Sequence, residues 1–117
     1  MKEKKGLGDV ELDRLVHERA RLMILTHLAS SGEAEKGFTE LKASLGLSSG
    51  NLSVQLRTLE EAHYVEIRKR FKDNKPWTGV ALTVEGKKAI EAYLRNLEVI
   101  VASLRGRDPA SPQGAKE

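Results

Sequence analysis

The fold is decided by a stretch near the middle of the chain, residues 45–62, which reads LGLSSGNLSVQLRTLEEA. Three apolar residues in it recur at spacings of four and three, which places them on one face of a helix: Leu52, Leu56 and Leu59. Before them, Gly46 can take the left-handed conformation that ends a helix, and Ser48 can cap the next one. The stretch therefore predicts a helix end, a tight turn and a new helix over residues 48–62.

Helical patterns also precede this stretch. Apolar residues recur at helical spacing over residues 10–29, with a lapse in the pattern near residues 17–18. After a polar loop over residues 33–37, Thr39 is a good N-cap for a short helix that ends at Gly46. Two short helices joined by a tight glycine turn form a helix-turn-helix.

The period of the pattern changes after the second of these helices. Residues 64–71 alternate apolar and charged side chains, which predicts a strand, and residues 78–82 are predicted as the returning strand. Residues 72–76 between them have the composition of a turn. Thr83 then caps a final helix over residues 84–104, which has the most regular amphipathic pattern in the chain.

Length and composition indicate one domain. The chain has 117 residues, of which 39% are hydrophobic and 32% charged, enough for a modest core. We predict a flexible basic N-terminus over residues 1–8, a folded domain over residues 9–104 and a flexible tail over residues 105–117. Because cysteine is absent, disulfides, thiolate metal sites and cysteine nucleophiles are excluded. The apolar runs are too short to span a membrane, so we expect a cytoplasmic protein with no membrane partner.

Positive charge is concentrated in the predicted hairpin. Residues 68–75 contain five basic side chains and one acidic one, whereas the whole chain has a net charge of only +3. This concentration favours a polyanionic partner, with a solvated charged loop as the alternative. We expect Trp77, the single tryptophan, to pin the hairpin to the rest of the domain rather than to stack on a base.

The order of helix, helix-turn-helix, hairpin and helix resembles that of winged-helix transcription regulators of the MarR-like and ArsR-like type. Four segments carry the resemblance: RLMILTHL at 21–28, FTEL at 38–41, the stretch at 47–62, and LTVEGKKA at 82–89. Two features depart from the usual pattern. His63 stands where a glycine is common, and Arg57 is the one basic residue of the predicted recognition helix, which also contains Glu60 and Glu61.

The resemblance implies an α+β, mostly α fold: a winged helix-turn-helix with a two-stranded β-hairpin wing and terminal dimerisation helices. It implies a transcriptional regulator that binds double-stranded DNA sequence-specifically. The recognition helix over residues 48–62 would enter the major groove, and the wing over residues 64–82 would lie on the backbone or in the minor groove. The alternative is a winged-helix module that binds another protein without specific DNA binding.

The candidate DNA-binding residues are of two kinds. Small and hydrogen-bonding side chains off the leucine stripe could read bases, since asparagine and glutamine can bond adenine. Basic side chains of the wing could contact phosphates. Together they are Ser48, Ser49, Gly50, Asn51, Ser53, Val54, Gln55, Arg57, Arg68, Arg70, Lys72 and Lys75. Strand alternation separates Arg68 and Arg70 from Lys69 and Phe71. For the helix, the alternative is a capping serine followed by an ordinary solvated face.

The last helix predicts a homodimer, because its apolar stripe is longer than so small a domain can cover. The predicted interface residues are Leu12, Leu15, Tyr93, Leu97, Ile100, Val101 and Leu104. Two-fold symmetry would set two recognition helices about 34 Å apart and favour a palindromic operator. The alternative is a monomer in which the terminal helices form a hairpin that hides the stripe.

Other kinds of site find no support in the sequence. The three histidines do not have the spacing of a metal site, so we expect neither a metal nor a cofactor. No serine–histidine–aspartate arrangement with a nucleophile elbow and no phosphate-cradling glycine loop is present, so we do not expect an enzyme. The resemblance leaves open a small-molecule effector lodged between the terminal helices and the core.

Overall fold

A computed structural model of the chain describes residues 6–106, which form four α-helices and a three-stranded antiparallel sheet. The elements are α1 (Arg19–Ser31), β1 (Lys36–Gly37), α2 (Phe38–Leu45), α3 (Ser49–Glu61), β2 (Val65–Lys72), β3 (Lys75–Leu82) and α4 (Val84–Leu104). The flexible ends predicted over residues 1–8 and 105–117 lie mostly outside the described residues. Within the described part, Leu7–Asp9 forms one 3-10 turn.

The stretch around the turn between α2 and α3 folds as predicted. Gly46 is left-handed, with φ of 66°, and ends α2. The Ser48 hydroxyl accepts a hydrogen bond from the Asn51 backbone N–H at 3.0 Å and so caps α3. Thr39 is not the N-cap of α2. The N-cap is Gly37, with an extended backbone, so the helix begins at Phe38, two residues earlier than a Thr39 cap would place it.

The first helix is shorter than predicted. The pattern over residues 10–29 suggested a helix with a break near residues 17–18. α1 begins directly after that break, at Arg19, and the Glu18 carboxylate caps it by accepting from the Arg21 backbone N–H at 2.8 Å. The Asp13 carboxylate accepts from the backbone N–H of Leu15 at 2.8 Å. Such a local side-chain bond competes with helical hydrogen bonding, which explains why the helix does not extend back through this segment.

The sheet has one more strand than predicted, in the order β1-β3-β2. The two-residue β1 pairs with β3 through Lys36↔Val80 and Gly37↔Gly79, within the segment predicted as a loop. β2 and β3 form the predicted hairpin, in register from Val65↔Leu82 to Lys72↔Lys75. Asp73 and Asn74 both have positive φ, as the type I′ turn of a two-residue hairpin loop requires. The third strand, β1, widens the sheet at its base, but the wing itself remains two-stranded.

The core lies between the helices and the base of the hairpin. The predicted leucine stripe of α3 is buried, and α1 packs against both α3 and α4. Tyr93 was predicted at a dimer interface but is part of this core, with 3% of its surface exposed. Its hydroxyl lies 2.9 Å from His17 Nδ1. The reason is that α1 packs on α4, and Ile90 and Tyr93 in the first half of α4 belong to the core cluster. Within residues 6–106, no helix is long and apolar enough to cross a membrane.

Candidate nucleic-acid interface

The α3 helix presents an exposed front opposite its buried leucines. Gly50, Val54 and Arg57 follow one another at spacings of four and three, and each is exposed, with 56% of the Val54 surface accessible. Ser53 is exposed beside them, on the side that faces the wing. This front begins at the N-terminal turn of α3, where exposed Ser49 and the capping Ser48 lie.

Gly50 has no role in the packing of the chain. A Cβ built at this position would have no atom within 4 Å, and its φ is not in the left-handed region. Glycine inside a helix is less favourable than alanine by about 1 kcal/mol. Gly50 is the second residue of α3, and its missing side chain leaves the backbone of the helix front uncovered.

Asn51 and Gln55 lie on the other flank of α3, toward α1. Gln55 is half-buried; its side-chain oxygen accepts from Arg21 Nη1 at 2.6 Å, and its Nε2 donates to Asn51 Oδ1 at 3.0 Å. Arg21 Nε in turn donates to the Leu15 carbonyl at 2.7 Å. Both predicted base-reading amides are thus tied into a chain of hydrogen bonds within the protein. Gln55 is off the exposed front, whereas Asn51 is exposed at its edge.

The wing has two faces, which the register of the hairpin defines. The inner face carries Val65, Ile67, Lys69, Phe71, Pro76, Thr78, Val80 and Leu82; the outer face carries Glu66, Arg68, Arg70, Lys72, Lys75, Trp77, Gly79 and Ala81. Val65 and Val80 of the inner face are buried in the core. The inner face therefore turns toward the body of the domain at the base of the hairpin and toward α3 farther out.

A cavity of about 570 Å³ separates α3 from the inner face of the wing. Its α3 side includes Ser53, Arg57 and Glu60, and its wing side includes Lys69 and Thr78. Lys69 was not among the predicted site residues. Its strand position could have indicated it, because Lys69 lies on the same side of β2 as the buried Val65. Arg57 and Lys69 thus place positive charge on both walls, and Glu60 adds one negative charge on the α3 side.

The outer face holds Arg68 and Arg70 against acidic side chains. Arg70 donates a hydrogen bond to Glu35 Oε1, and Arg68 Nη1 lies 3.9 Å from the same oxygen. Arg68 Nη2 also lies 2.8 Å from Glu66 Oε1, and this hydrogen bond holds the pKa of Glu66 below its ordinary value. Only 16% of the Glu35 side chain is exposed. Both arginines were predicted to bind DNA, but the fold pairs them internally, on the face away from α3.

Trp77 attaches the outer face to β1, as predicted. A Cβ on Gly37 would lie 2.9 Å from the indole Nε1, and one on Gly79 would lie 2.6 Å from the Trp77 ring, so the indole packs directly on both backbones. Lys72 Nζ lies 4.2 Å from the ring centroid and the Arg70 guanidinium carbon 5.3 Å from it, within the range of cation–π attraction.

The far half of α4 is incompletely covered. Leu97, Ile100 and Val101 are half-buried, and 86% of the Leu104 surface is exposed. Part of the cover comes from the chain's own N-terminal segment, since Asn96 Nδ2 donates to the Glu11 carbonyl at 2.8 Å. Leu12, with Leu97, packs at the edge of the core, and Leu15 is half-buried nearby in sequence. The monomeric alternative predicted that a terminal helix would hide the α4 stripe. In the structure an irregular N-terminal segment covers part of that stripe and leaves Leu104 exposed.

Comparisons with known proteins identify the architecture. A sequence model of the winged helix DNA-binding domain matches residues 20–101. The structure of a transcriptional regulator homologue from Pyrococcus horikoshii OT3 is 26% identical, with a TM-score of 0.73 over 79% of this chain and 89% of that one. HlyU from Vibrio cholerae N16961 is also 26% identical, with a TM-score of 0.52 over 70% of this chain and 83% of that one.

More distant structures share the fold alone. MepR, a transcription regulator of the Staphylococcus aureus multidrug efflux pump MepA, is 19% identical, with a TM-score of 0.60 over 72% of this chain and 60% of that one. A search of curated protein sequences found no significant match. The predicted winged-helix architecture and its resemblance to transcription regulators are thus confirmed.

Proposed function

We propose a function from one premise: this chain belongs to the winged helix DNA-binding domain family. The protein regulates transcription by binding double-stranded DNA sequence-specifically, and it does so as a homodimer. Helix α3, with its caps spanning residues 48–62, enters the major groove. The wing over residues 64–82 lies on the phosphate backbone or in the adjacent minor groove. The cytoplasmic localisation expected from the sequence remains part of the proposal.

The observation that carries this proposal is the shared exposure of the α3 front and the inner face of the wing. Both border one cavity, and Arg57 and Lys69 bring positive charge to its two sides. A DNA strand that leaves the major groove beside α3 would pass between these two charges. Uncovered backbone at Gly50 permits the close approach that base contacts need, and exposed Val54 suits contact with a thymine methyl.

The internal hydrogen bonds refine the contact set. We assign phosphate contacts to Lys69, Lys72 and Lys75, and to the backbone N–H groups at the α3 N-terminus beside Ser49. Base contacts fall to Ser53, Val54, Arg57 and Asn51, with the Asn51 amide oriented by its bond from Gln55. We reserve a supporting role for Gln55, Arg68 and Arg70, since each is held by another side chain of the protein.

The dimer is proposed from the far half of α4. This helix has 21 residues, about 31 Å at 1.5 Å per residue, and its exposed apolar positions continue beyond the part that α1 covers. A second copy would cover Ile100, Val101 and Leu104, with Leu97, Leu12 and Leu15 at the margin. A two-fold axis there would favour two recognition helices about one DNA turn apart, ~34 Å, and hence a palindromic operator.

Salt dependence of duplex binding tests the DNA-binding proposal. We expect the logarithm of the binding constant to fall linearly with the logarithm of salt concentration, with a slope near −0.9 for each phosphate contacted. Selection from a random duplex pool should then enrich one palindromic sequence. Binding to mixed-sequence duplex that is absent or insensitive to salt would contradict the proposal. A small-molecule effector, which the resemblance leaves open, can be tested as a competitor in the same assay.

Sedimentation equilibrium tests the dimer. We expect the wild-type mass to be near twice the chain mass, and the double substitution Ile100→Glu with Leu104→Glu to reduce it toward one chain. Ser103→Glu is the control for added negative charge, because it places one of the two glutamate charges at an exposed polar position of α4 next to Leu104. A wild-type monomer at micromolar concentration would contradict the dimer and the expectation of a palindrome.

Binding of another protein is the second candidate function, and the pairing of Arg68 and Arg70 with Glu35 favours it. These pairs remove much of the charge that a count of wing residues assigns to DNA binding. The two candidates differ in the salt titration. A protein-binding module would retain its wing and α3 surfaces but show no salt-dependent affinity for duplex DNA.

A further inference from the structure

The wing ends in an exposed aromatic side chain that the fold does not use. Phe71 is the last residue but one of β2, and 73% of its surface is exposed. It pairs across the hairpin with Pro76, which is also exposed. Trp77 on the opposite face already packs the hairpin onto β1, so Phe71 is not required for that attachment. The ring faces Pro76 but is not among the residues that pack on the core.

Basic side chains lie near this aromatic tip on both faces of the wing. Lys69 lies on the same face as Phe71, two residues earlier. The exposed Lys72 and Lys75 pair with each other on the outer face where the hairpin turns, and Lys72 Nζ lies over the Trp77 ring. An apolar ring at the end of a hairpin that carries Lys69 on its own face, and Lys72 and Lys75 at the turn, is poorly suited to the apolar surface of another protein. It is suited to nucleic acid, where phosphates meet the cations and base pairs offer an apolar, stackable surface.

The length of the wing allows Phe71 to reach a groove. Phe71 is six residues beyond the buried Val65, which at ~3.3 Å per residue is about 20 Å from the core. In B-DNA the minor groove lies half a helical turn, about 17 Å, from the centre of the neighbouring major groove. Because Phe71 lies on the inner face, it shares the side of the wing that borders the α3 cavity through Lys69.

We propose that Phe71 is a wedge that enters the minor groove and inserts between two adjacent base pairs, opening that step and bending the duplex. This inference rests on the proposed function and adds a mode of recognition to it. Lys72 and Lys75 hold the phosphates on either side of the opened step. Since pyrimidine–purine steps unstack most easily, the wedge selects such a step at a fixed distance from the sequence that α3 reads.

The test measures DNA shape as well as affinity. The probe is the duplex selected by the wild-type protein, labelled with a fluorophore pair at its ends to report bending, and with 2-aminopurine near the wing to report unstacking. We expect wild-type protein to shorten the end-to-end distance and raise 2-aminopurine fluorescence. Phe71→Ala should abolish both signals and weaken binding about tenfold.

Two control variants separate the wedge from simple loss of contact. Phe71→Leu keeps an apolar side chain of wedge type and should retain most of the bend. Lys75→Ala should weaken binding and reduce the salt slope, while the duplex that is bound at saturating protein remains bent. Comparison of Phe71→Ala with these two variants distinguishes insertion from charge, because only the loss of the apolar wedge should straighten the duplex.

The outcomes separate the wedge from the function on which it rests. If the wild-type protein does not bind duplex DNA, the proposed function fails and the wedge with it. If wild type and Phe71→Ala bind with equal affinity and leave the duplex equally straight, only the wedge is overturned. A change in sedimentation mass caused by Phe71→Ala, without a change in DNA shape, would assign the side chain to a protein interface and also overturn the wedge.

Discussion

The two faces of the wing hold neighbouring basic side chains of one strand in opposite settings. Lys69, on the inner face, borders the cavity shared with α3 and forms no ion pair within residues 6–106. Arg68, one residue away on the outer face, is bonded to Glu66 and lies close to Glu35. A count of basic residues treats these two positions alike. The fold makes one of them available to a partner and uses the other to hold the wing.

The difference arises from what each face meets at the base of the hairpin. On the inner face, Val65 and Val80 enter the core and turn the strand toward α3. On the outer face, pairing of β1 with β3 brings the preceding residue, Glu35, over Gly79 and against the two arginines. Whether a basic side chain of the wing is free to bind a partner therefore depends on which face of the hairpin it lies on, rather than on the number of charges nearby in sequence.

The largest expected difference between the two faces is in DNA affinity, and alanine substitutions at the adjacent positions 69 and 68 measure it. Lys69→Ala should weaken binding to all duplexes about tenfold and make the salt slope shallower by about one unit, because it removes a phosphate contact. Arg68→Ala should change affinity less than about threefold, since that charge is already paired. Both are measured by fluorescence anisotropy across a range of salt. Equal losses for the two variants would show that the faces do not differ toward DNA.

How far the sequence predicts this arrangement depends on the range of the interactions. Local signals succeeded: the leucine stripe, the caps at Ser48 and Thr83, and the left-handed Gly46 are all present as expected. His63, noted because it stands where glycine is common, does adopt a positive φ of 67°. These features depend on residues within a few positions of one another, so one sequence is sufficient to predict them.

Long-range pairings were not predictable in the same way. β1 has only two residues and no alternating pattern, so nothing local distinguishes it from a loop. Glu35 is 35 positions from Arg70, and their pairing depends on that short strand. The wing's alternation did separate Lys69 from Arg68 and put Lys69 on the apolar side of β2, but that this side faces α3 depends on how the hairpin packs on the domain. Tyr93 was misassigned for the same reason, since the helix that covers it could not be located.

The next largest effect on DNA affinity is expected at the α3 front, which borders the same cavity as the inner face of the wing. Gly50→Ala should stabilise the protein by up to about 1 kcal/mol, since the new Cβ has open space and alanine favours a helix. The same substitution should weaken specific DNA binding about fivefold, because the methyl group obstructs base contact. Thermal unfolding and anisotropy measure the two effects. Ser49→Ala is the control, because it is a substitution by alanine at the neighbouring exposed position of α3. Tighter DNA binding by Gly50→Ala would contradict a close approach of DNA to the backbone at this position.

Tyr64, just before β2, joins the base of the wing to the segment that precedes α1. Its hydroxyl donates to Asp13 Oδ2 at 2.6 Å, and this bond raises the pKa of Tyr64 to about 12. Because the folded pKa exceeds the ordinary value of 10.0, the stabilisation is complete below about pH 10 and is lost as pH rises toward 12. Tyr64→Phe should cost about 1 kcal/mol at neutral pH and reduce this alkaline loss of stability, as measured by urea unfolding. An unchanged alkaline loss would assign the pH dependence to other groups.

The smallest expected effect is also the most direct test of the outer face. Glu35→Gln keeps the size of the side chain and its ability to accept a hydrogen bond, but it removes the charge that neutralises Arg68 and Arg70. DNA binding should therefore become tighter, about threefold at low salt, and the salt slope should become steeper. Glu33→Gln is a matched control, because it makes the same change two residues away, where the carboxylate pairs with Lys36 instead.

The sign of this effect separates two roles for Glu35. If the carboxylate chiefly neutralises the arginines, its removal frees positive charge on the wing and only Glu35→Gln, not Glu33→Gln, tightens binding. If it chiefly holds the hairpin in place against β1, the same substitution loosens the wing and weakens binding at every salt concentration. The two arginine partners that Glu35 holds favour the first role. Weaker binding by Glu35→Gln would reverse that assignment and make the outer face a structural support for the inner one.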